Sequence, residues 1–221
     1  MAPTFDTIIR GARIYDGSGR PPVLGDVGVR GDRIAGLGSL PLGAGGEEID
    51  GSGLALAPGF IDTHTHDDRA LLSTDMACKA SQGVTTVVAG NCGVSLAPLK
   101  LDGDPPPPLN LIGGRGDYRF DTFADYLDAL RENGIAVNAA CLLGHSTLRV
   151  AAMDRLDRPA TKGELGEMCR RQGCAGRRSH RLFDGPRISA CPCRSAGRGH
   201  RACEPVRRLG RNLYDAHARR G

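Results

Sequence analysis

Short apolar runs separated by glycines open the chain. Residues 7–10, 13–15, 26–29, 33–37, 48–50 and 54–57 are short β-rich runs that alternate with Gly-containing turns. A period of two puts alternate side chains on one face of a strand, so the pattern predicts a small antiparallel β unit. It closes at Pro58-Gly59, a turn pair. Beyond the turn, Phe60-Ile61-Asp62 predicts a buried strand that delivers His64-Thr65-His66.

From there the rhythm changes to strand alternating with helix. Residues 68–83 read as loop and helix, and 84–88 as a buried strand ending at Gly90-Asn91-Cys92-Gly93. The proline run at 105–108 reads as a rigid surface insertion. Phe123, Tyr126, Leu127 and Leu130 recur at helical spacing within 122–133, with Asn133-Gly134 as the stop. A third strand, 135–143, ends in Gly144-His145-Ser146. Thr161 caps a further helix through Met168, with Glu164 at the capping-box offset. This alternation predicts a parallel sheet with crossover helices, an α/β fold. Three successive strands finish in polar or metal-binding residues, and in an α/β barrel that is the face where chemistry sits.

Composition bounds the class. The hydrophobic fraction is 40%, but aromatics make up only 4% with no Trp, so the core has to be largely Val, Ile, Leu and Ala. No segment approaches the roughly 20 apolar residues of a membrane span, and the N-terminus lacks the charged start and apolar middle of a secretory signal. A cytoplasmic location is the expectation. The eight cysteines then read as reduced thiols or metal ligands rather than a disulfide framework.

His64 and His66 flank one residue, so in extended backbone their imidazoles share a side and can meet one ion. Without context, two exposed loop histidines explain the spacing as well. Asp62, Asp67 and Asp68 around the pair, and an apolar strand delivering it, favour metal ligation. Cys92 ends the next strand and can supply a thiolate to the same ion, since adjacent strands lie about 5 Å apart. A structural thiol is the alternative for Cys92.

These motifs also carry a resemblance. The stretch Ala57-Pro-Gly-Phe-Ile-Asp-Thr-His-Thr-His66 resembles the signature of the amidohydrolase superfamily, whose members place such a histidine pair at the end of the first barrel strand. Val87-Val-Ala-Gly-Asn-Cys-Gly-Val-Ser95 and Gly144-His-Ser-Thr-Leu-Arg149 are similar to the N-acyl-D-amino-acid deacylases, in which a Cys replaces the bridging carboxylated Lys of many relatives. The resemblance covers about residues 5–169. It implies a partial TIM-like (β/α) barrel of the amidohydrolase type, about its first three strands, preceded by a small β-sandwich domain. It implies zinc as cofactor, N-acyl-D-amino acids as small-molecule substrates, and hydrolysis of their amide bond by a water that zinc activates. His64, His66 and Cys92 carry over as metal ligands, and Asn91 as a residue near substrate or ligands. His145 is left between a role near substrate and a structural hydrogen bond. The family's later ligand histidines and its catalytic Asp have no counterpart in this chain. A cyclic-amide hydrolase of the hydantoinase or dihydroorotase kind is the alternative enzyme, and Cys92 in place of the Lys argues against it.

Charge changes the picture for the C-terminal quarter. Residues 1–169 carry 15 basic and 22 acidic side chains, a net −7, whereas residues 170–221 carry 14 basic, all Arg, and 3 acidic, a net +11. A zinc module or nucleic-acid binder is one reading of this Cys- and Arg-rich tail. The spacings fit neither: Cys191-Pro-Cys193 leaves one intervening residue, and no aromatic platform accompanies the arginines. GC-rich DNA read out of frame yields this composition. Permitted codons for residues 181–185, read one base later, give Gly-Phe-Ser-Thr-Gly, and those for 214–221 give Thr-Thr-His-Thr-Arg-Asp-Glu, similar to the family's fourth- and fifth-strand motifs. The expectation is therefore a frameshift near Arg170, with three domains: 1–57, a small N-terminal β domain lacking partner strands; 58–169, the first part of the barrel; and 170–221, a disordered tail. No partner other than substrate is expected, neither nucleic acid nor membrane. A chain so composed is expected to be incomplete, aggregation-prone and inactive.

Overall fold

The glycine-separated runs at the N-terminus join into one sheet. In the computed structural model, which describes residues 3–176 and 188–191, the first two runs form a single strand, β1 (Phe5–Ile14). A register shift between Ile9 and Ala12 absorbs Gly11, whose φ of +62° is a conformation glycine adopts without penalty. On one side β1 pairs antiparallel with β2 (Val23–Arg30), which pairs antiparallel with β3 (Arg33–Gly38). On its other side β1 pairs parallel with β4 (Gly45–Asp50) and β5 (Ala55–Leu56). The sheet is thus mixed, not antiparallel throughout. Alternation assigns faces, and both strand directions satisfy it; direction is set by the connections. Arg10 ties three of the strands, pairing with Asp26 at 2.9 Å and Glu48 at 2.6 Å.

The chain divides into two units between Gly59 and Phe60. The second unit begins with β6 (Phe60–Thr65), and continues through two helical turns, α1 (Ala70–Ser73) and α2 (Ala77–Ala80), to β7 (Val84–Ala89). A long excursion follows. It contains the antiparallel pair β8 (Leu99–Lys100) and β9 (Arg119–Phe120) and a 3₁₀ turn at Leu109–Leu111. Then come α3 (Phe123–Asn133), β10 (Asn138–Leu142), α4 (His145–Ala152), α5 (Lys162–Gly176) and β11 (Ile188–Cys191). Strands β6, β7, β10 and β11 form one parallel sheet in chain order. The core is aliphatic with a few rings: Val87, Ala139 and Leu143 pack with Leu96, Leu109, Tyr118, Phe123, Tyr126 and Leu130.

Helix α3 follows its local signals. Thr122 Oγ1 accepts the Asp125 N–H and Asp125 accepts the Thr122 N–H, both at 3.1 Å, and Gly134 ends the helix at φ +67°. Elsewhere the sequence pattern misleads. Phe60 and Ile61 are 63% and 61% exposed, not buried, because β6 is an edge strand that no described element covers. The proline run is not wholly superficial, since Pro105 is buried and Leu109 anchors the core. The polar Gly144-His145-Ser146 cluster opens a helix, and α5 continues past Met168 to Gly176. Disorder from residue 170 onward fails at two places: 170–176 complete α5, where Arg170 and Arg171 pair with Glu167, and β11 extends the sheet through backbone pairing with β10. The remainder of that segment lies outside the described residues. No helix among the described residues is long and apolar enough to cross a membrane.

Candidate metal centre

The parallel sheet sets the two histidines and the cysteine side by side. His64 is the next-to-last residue of β6 and His66 lies just beyond its end, while Cys92 follows the end of the neighbouring β7. His64 Nε2 lies 2.6 Å from Cys92 Sγ and His66 Nε2 lies 2.7 Å from it. The imidazole centroids are 5.9 Å apart at 48°. All three donor atoms fall within 4.8 Å of one another, and all three residues are exposed. Two imidazole nitrogens and a sulfur form a donor set suited to zinc. An ion and a small substrate can reach it from solvent.

The cysteine turn is held from behind. Gly90 has φ +83° and runs so close to the end of β10 that a Cβ there would sit 2.2 Å from the Leu142 carbonyl oxygen. Gly93 takes φ +82° and its carbonyl accepts the Ser146 N–H at 2.8 Å. Asn91 donates from Nδ2 to the Thr63 carbonyl at 2.8 Å, linking the cysteine turn to the histidine strand. Deeper, the Ser95 N–H donates to Thr147 Oγ1, whose hydroxyl donates to the Ser95 carbonyl, both at 2.8 Å. The Gly144 N–H donates to Ser95 Oγ at 2.9 Å. Ser95 and Thr147 stand inside the two family-like motifs, but their pairing leaves no trace in spacing.

His145 stands apart from the donor cluster. It is the first residue of α4; desolvation on its packed side, and then the Arg149 guanidinium, pull its pKa down. Its neighbours Gly144 and Ser146, not its ring, supply the contacts to the cysteine turn just described.

The carboxylates around the histidine pair face elsewhere. Asp62 and Asp67 both bind the Lys79 ammonium, at 2.7 and 3.0 Å. Lys79 holds the Asp62 carboxyl below its ordinary range, aided by the His64 N–H that donates to it at 3.3 Å. Asp62 and then Asp67 raise the pKa of Lys79 in turn. Asp68 is 2% exposed, and its Oδ2 has no hydrogen-bond partner among the described residues. Burial first, and the charge of Asp67 second, push its pKa up to about 7. Lys79 carried no signal in the sequence, because its partners lie 12 to 17 residues away across a turn.

The model of the family described as "Amidohydrolase family" matches residues 47–174. The chain is 57% identical over 165 residues to a D-aminoacylase of Alcaligenes xylosoxydans xylosoxydans, a match covering 74% of this chain and 34% of that protein. It is 54% identical to an N-acyl-D-aspartate deacylase of the same organism, covering 74% of this chain and 33% of the relative. Among solved structures it is similar to the N-acyl-D-glutamate deacylase of Bordetella bronchiseptica complexed with zinc and a phosphonate inhibitor that mimics the tetrahedral intermediate. There the TM-score is 0.70 at 40% identity, covering 78% of this chain and 36% of that one. The chain therefore spans about a third of the length of the relatives it matches. With more than half of its residues inside the family match, the chain belongs to the amidohydrolase family.

Proposed function

We propose that this chain carries the first metal-binding part of a zinc-dependent hydrolase that cleaves the amide bond of N-acyl-D-amino acids to a carboxylate and a D-amino acid. The observation that carries the reading is the convergence of His64, His66 and Cys92 at two adjacent strand ends. Bound to them, zinc would polarise the amide carbonyl and lower the pKa of the attacking water. Cys92 reaches both imidazoles, so it is the residue around which the donor set is organised. Asn91 orients the turn by its bond to Thr63 rather than by touching the donor atoms. Among the described residues no fourth donor joins these three, so the general base and further ligands would come from residues beyond them.

Three parallel strands adjacent in chain order, β6, β7 and β10, with donor residues at the C-terminal ends of β6 and β7, support a partial TIM-like barrel for the second unit. Exposed Val23, Ile34 and Leu37, on one face of the N-terminal sheet, support a sandwich whose second layer is supplied elsewhere. The boundaries 1–57, 58–169 and 170–221 remain our division, the last an out-of-frame segment on its arginine-only basicity. Free thiols at Cys78, Cys92, Cys141 and Cys169 support the cytoplasm as the compartment.

The activity is tested by a chimera in which residues 5–169 replace the matching stretch of the Alcaligenes D-aminoacylase. Release of D-amino acid from N-acyl-D but not N-acyl-L substrates, lost with His64→Ala, is the expected outcome. A folded, zinc-loaded chimera without turnover would refute the reading.

A further inference from the structure

The histidine pair sits on weak scaffolding. β6 is an edge strand, exposed along most of its length, and its register with β7 slips between Asp62 and Thr65. Three residues of β6 there span two of β7, leaving an extra residue beside His64 with no fixed place in the ladder. Backbone pairing alone therefore does not set where the imidazoles point.

A side-chain clamp spans this irregular stretch. Asp62 and Asp67 bracket His64-Thr65-His66, one carboxylate on each side. The Lys79 ammonium reaches both, at 2.7 and 3.0 Å, and lies 3.5 Å from Thr65 Oγ1 between them. An ammonium has three donors, and three acceptors surround it. The acceptors are themselves tied to the tripeptide: Asp62 accepts the His64 N–H at 3.3 Å, and the Thr65 hydroxyl donates to Asp67. Lys79 is on α2, so the clamp also fastens the tripeptide to a separate element.

We propose that Lys79 is a positioning residue for the metal centre: by binding Asp62 and Asp67 together it holds the His64-Thr65-His66 backbone so that both imidazoles meet Cys92. The proposal rests on the reading of His64, His66 and Cys92 as a metal site. It assigns Asp62 and Asp67 to the clamp and not to the ion. Supporting groups one step removed from a metal change its affinity by about tenfold to a hundredfold when lost.

The full chain is titrated with Co²⁺, followed by the near-ultraviolet thiolate-to-cobalt absorption, with far-ultraviolet circular dichroism as the folding control. The natural chain is expected to bind with a thiolate band, and Lys79→Met to stay folded with an apparent Kd raised about tenfold to a hundredfold. In an Asp62→Asn/Asp67→Asn background, Lys79→Met is expected to add less than about twofold, because the groups it acts through are already gone. A natural chain that gives no thiolate band sinks both the metal-site reading and the clamp. Natural binding together with unchanged binding by Lys79→Met sinks the clamp alone, as does an undiminished Lys79→Met effect in the double-Asn background. Should Lys79→Met lose its circular dichroism, the Asp62→Asn/Asp67→Asn pair removes the clamp's two ion pairs and leaves one ammonium in place of two unpaired carboxylates. Natural affinity in that pair would overturn the proposal.

Discussion

Ser95 and Thr147 exchange two hydrogen bonds at 2.8 Å, the Ser95 N–H to Thr147 Oγ1 and the Thr147 hydroxyl to the Ser95 carbonyl. Both residues are buried, so the pair fastens the turn carrying Cys92 to the start of α4 with no water to replace it. Thr147→Val keeps the shape but strands a buried N–H and carbonyl. The expected cost is about 2–4 kcal/mol in denaturant unfolding, against less than about 1.5 kcal/mol for Thr147→Ser, which keeps the hydroxyl.

Gly90 gives a sharper test of the same turn. A side chain there meets both a left-handed backbone and the Leu142 carbonyl oxygen at 2.2 Å. Gly116 shares the backbone, at φ +88°, but has nothing within 4 Å. Gly116→Ala is expected to cost about 1–2 kcal/mol from backbone strain alone. Gly90→Ala should cost distinctly more, read as the difference in denaturant midpoints, because the β10 end has to move as well.

Acid should weaken the start of α5. Glu164 accepts the Thr161 N–H at 2.7 Å and pairs with Arg158 at 2.6 Å. The Arg158 bond first, then that N–H, hold its pKa down at about 2, below the ordinary 4.5. A carboxyl depressed in the folded state adds stability above its unfolded pKa and loses it as pH falls through the folded value. Unfolding midpoints of the natural chain should therefore drop between about pH 4.5 and 2 more steeply than those of Glu164→Gln. Parallel curves for the two proteins would contradict the assignment.

What could be read from the sequence follows the range of each signal. Helix α3 was legible because its cap, apolar stripe and stop all lie within 13 residues. Val84–Ala89 was legible as an apolar run between turn residues. The parallel pairing of β4 with β1 was not, since alternation carries no direction. Phe60 and Ile61 look like core by residue type, and only the sheet order reveals them as an edge. At the candidate site, His64, His66 and Cys92 stood out as donor types at strand ends. The elements that aim them, Lys79 and the Ser95–Thr147 pair, depend on contacts between distant segments.

The composition break at residue 170 makes its own prediction. Basic residues before it include both Lys and Arg; after it all 14 are Arg. Sequencing the gene across codons of about 165 to 175 is expected to expose a one-base shift, with family-like strand motifs continuing in the adjacent frame. A single intact frame without such a continuation would remove the idea.

The most direct test of the metal centre is zinc K-edge absorption on the purified full chain loaded with one equivalent of zinc. The expected shell has one sulfur at about 2.3 Å and two imidazole nitrogens at about 2.0–2.1 Å, the sulfur vanishing in Cys92→Ala. A chain that retains no zinc, or whose zinc shell lacks sulfur, would contradict it.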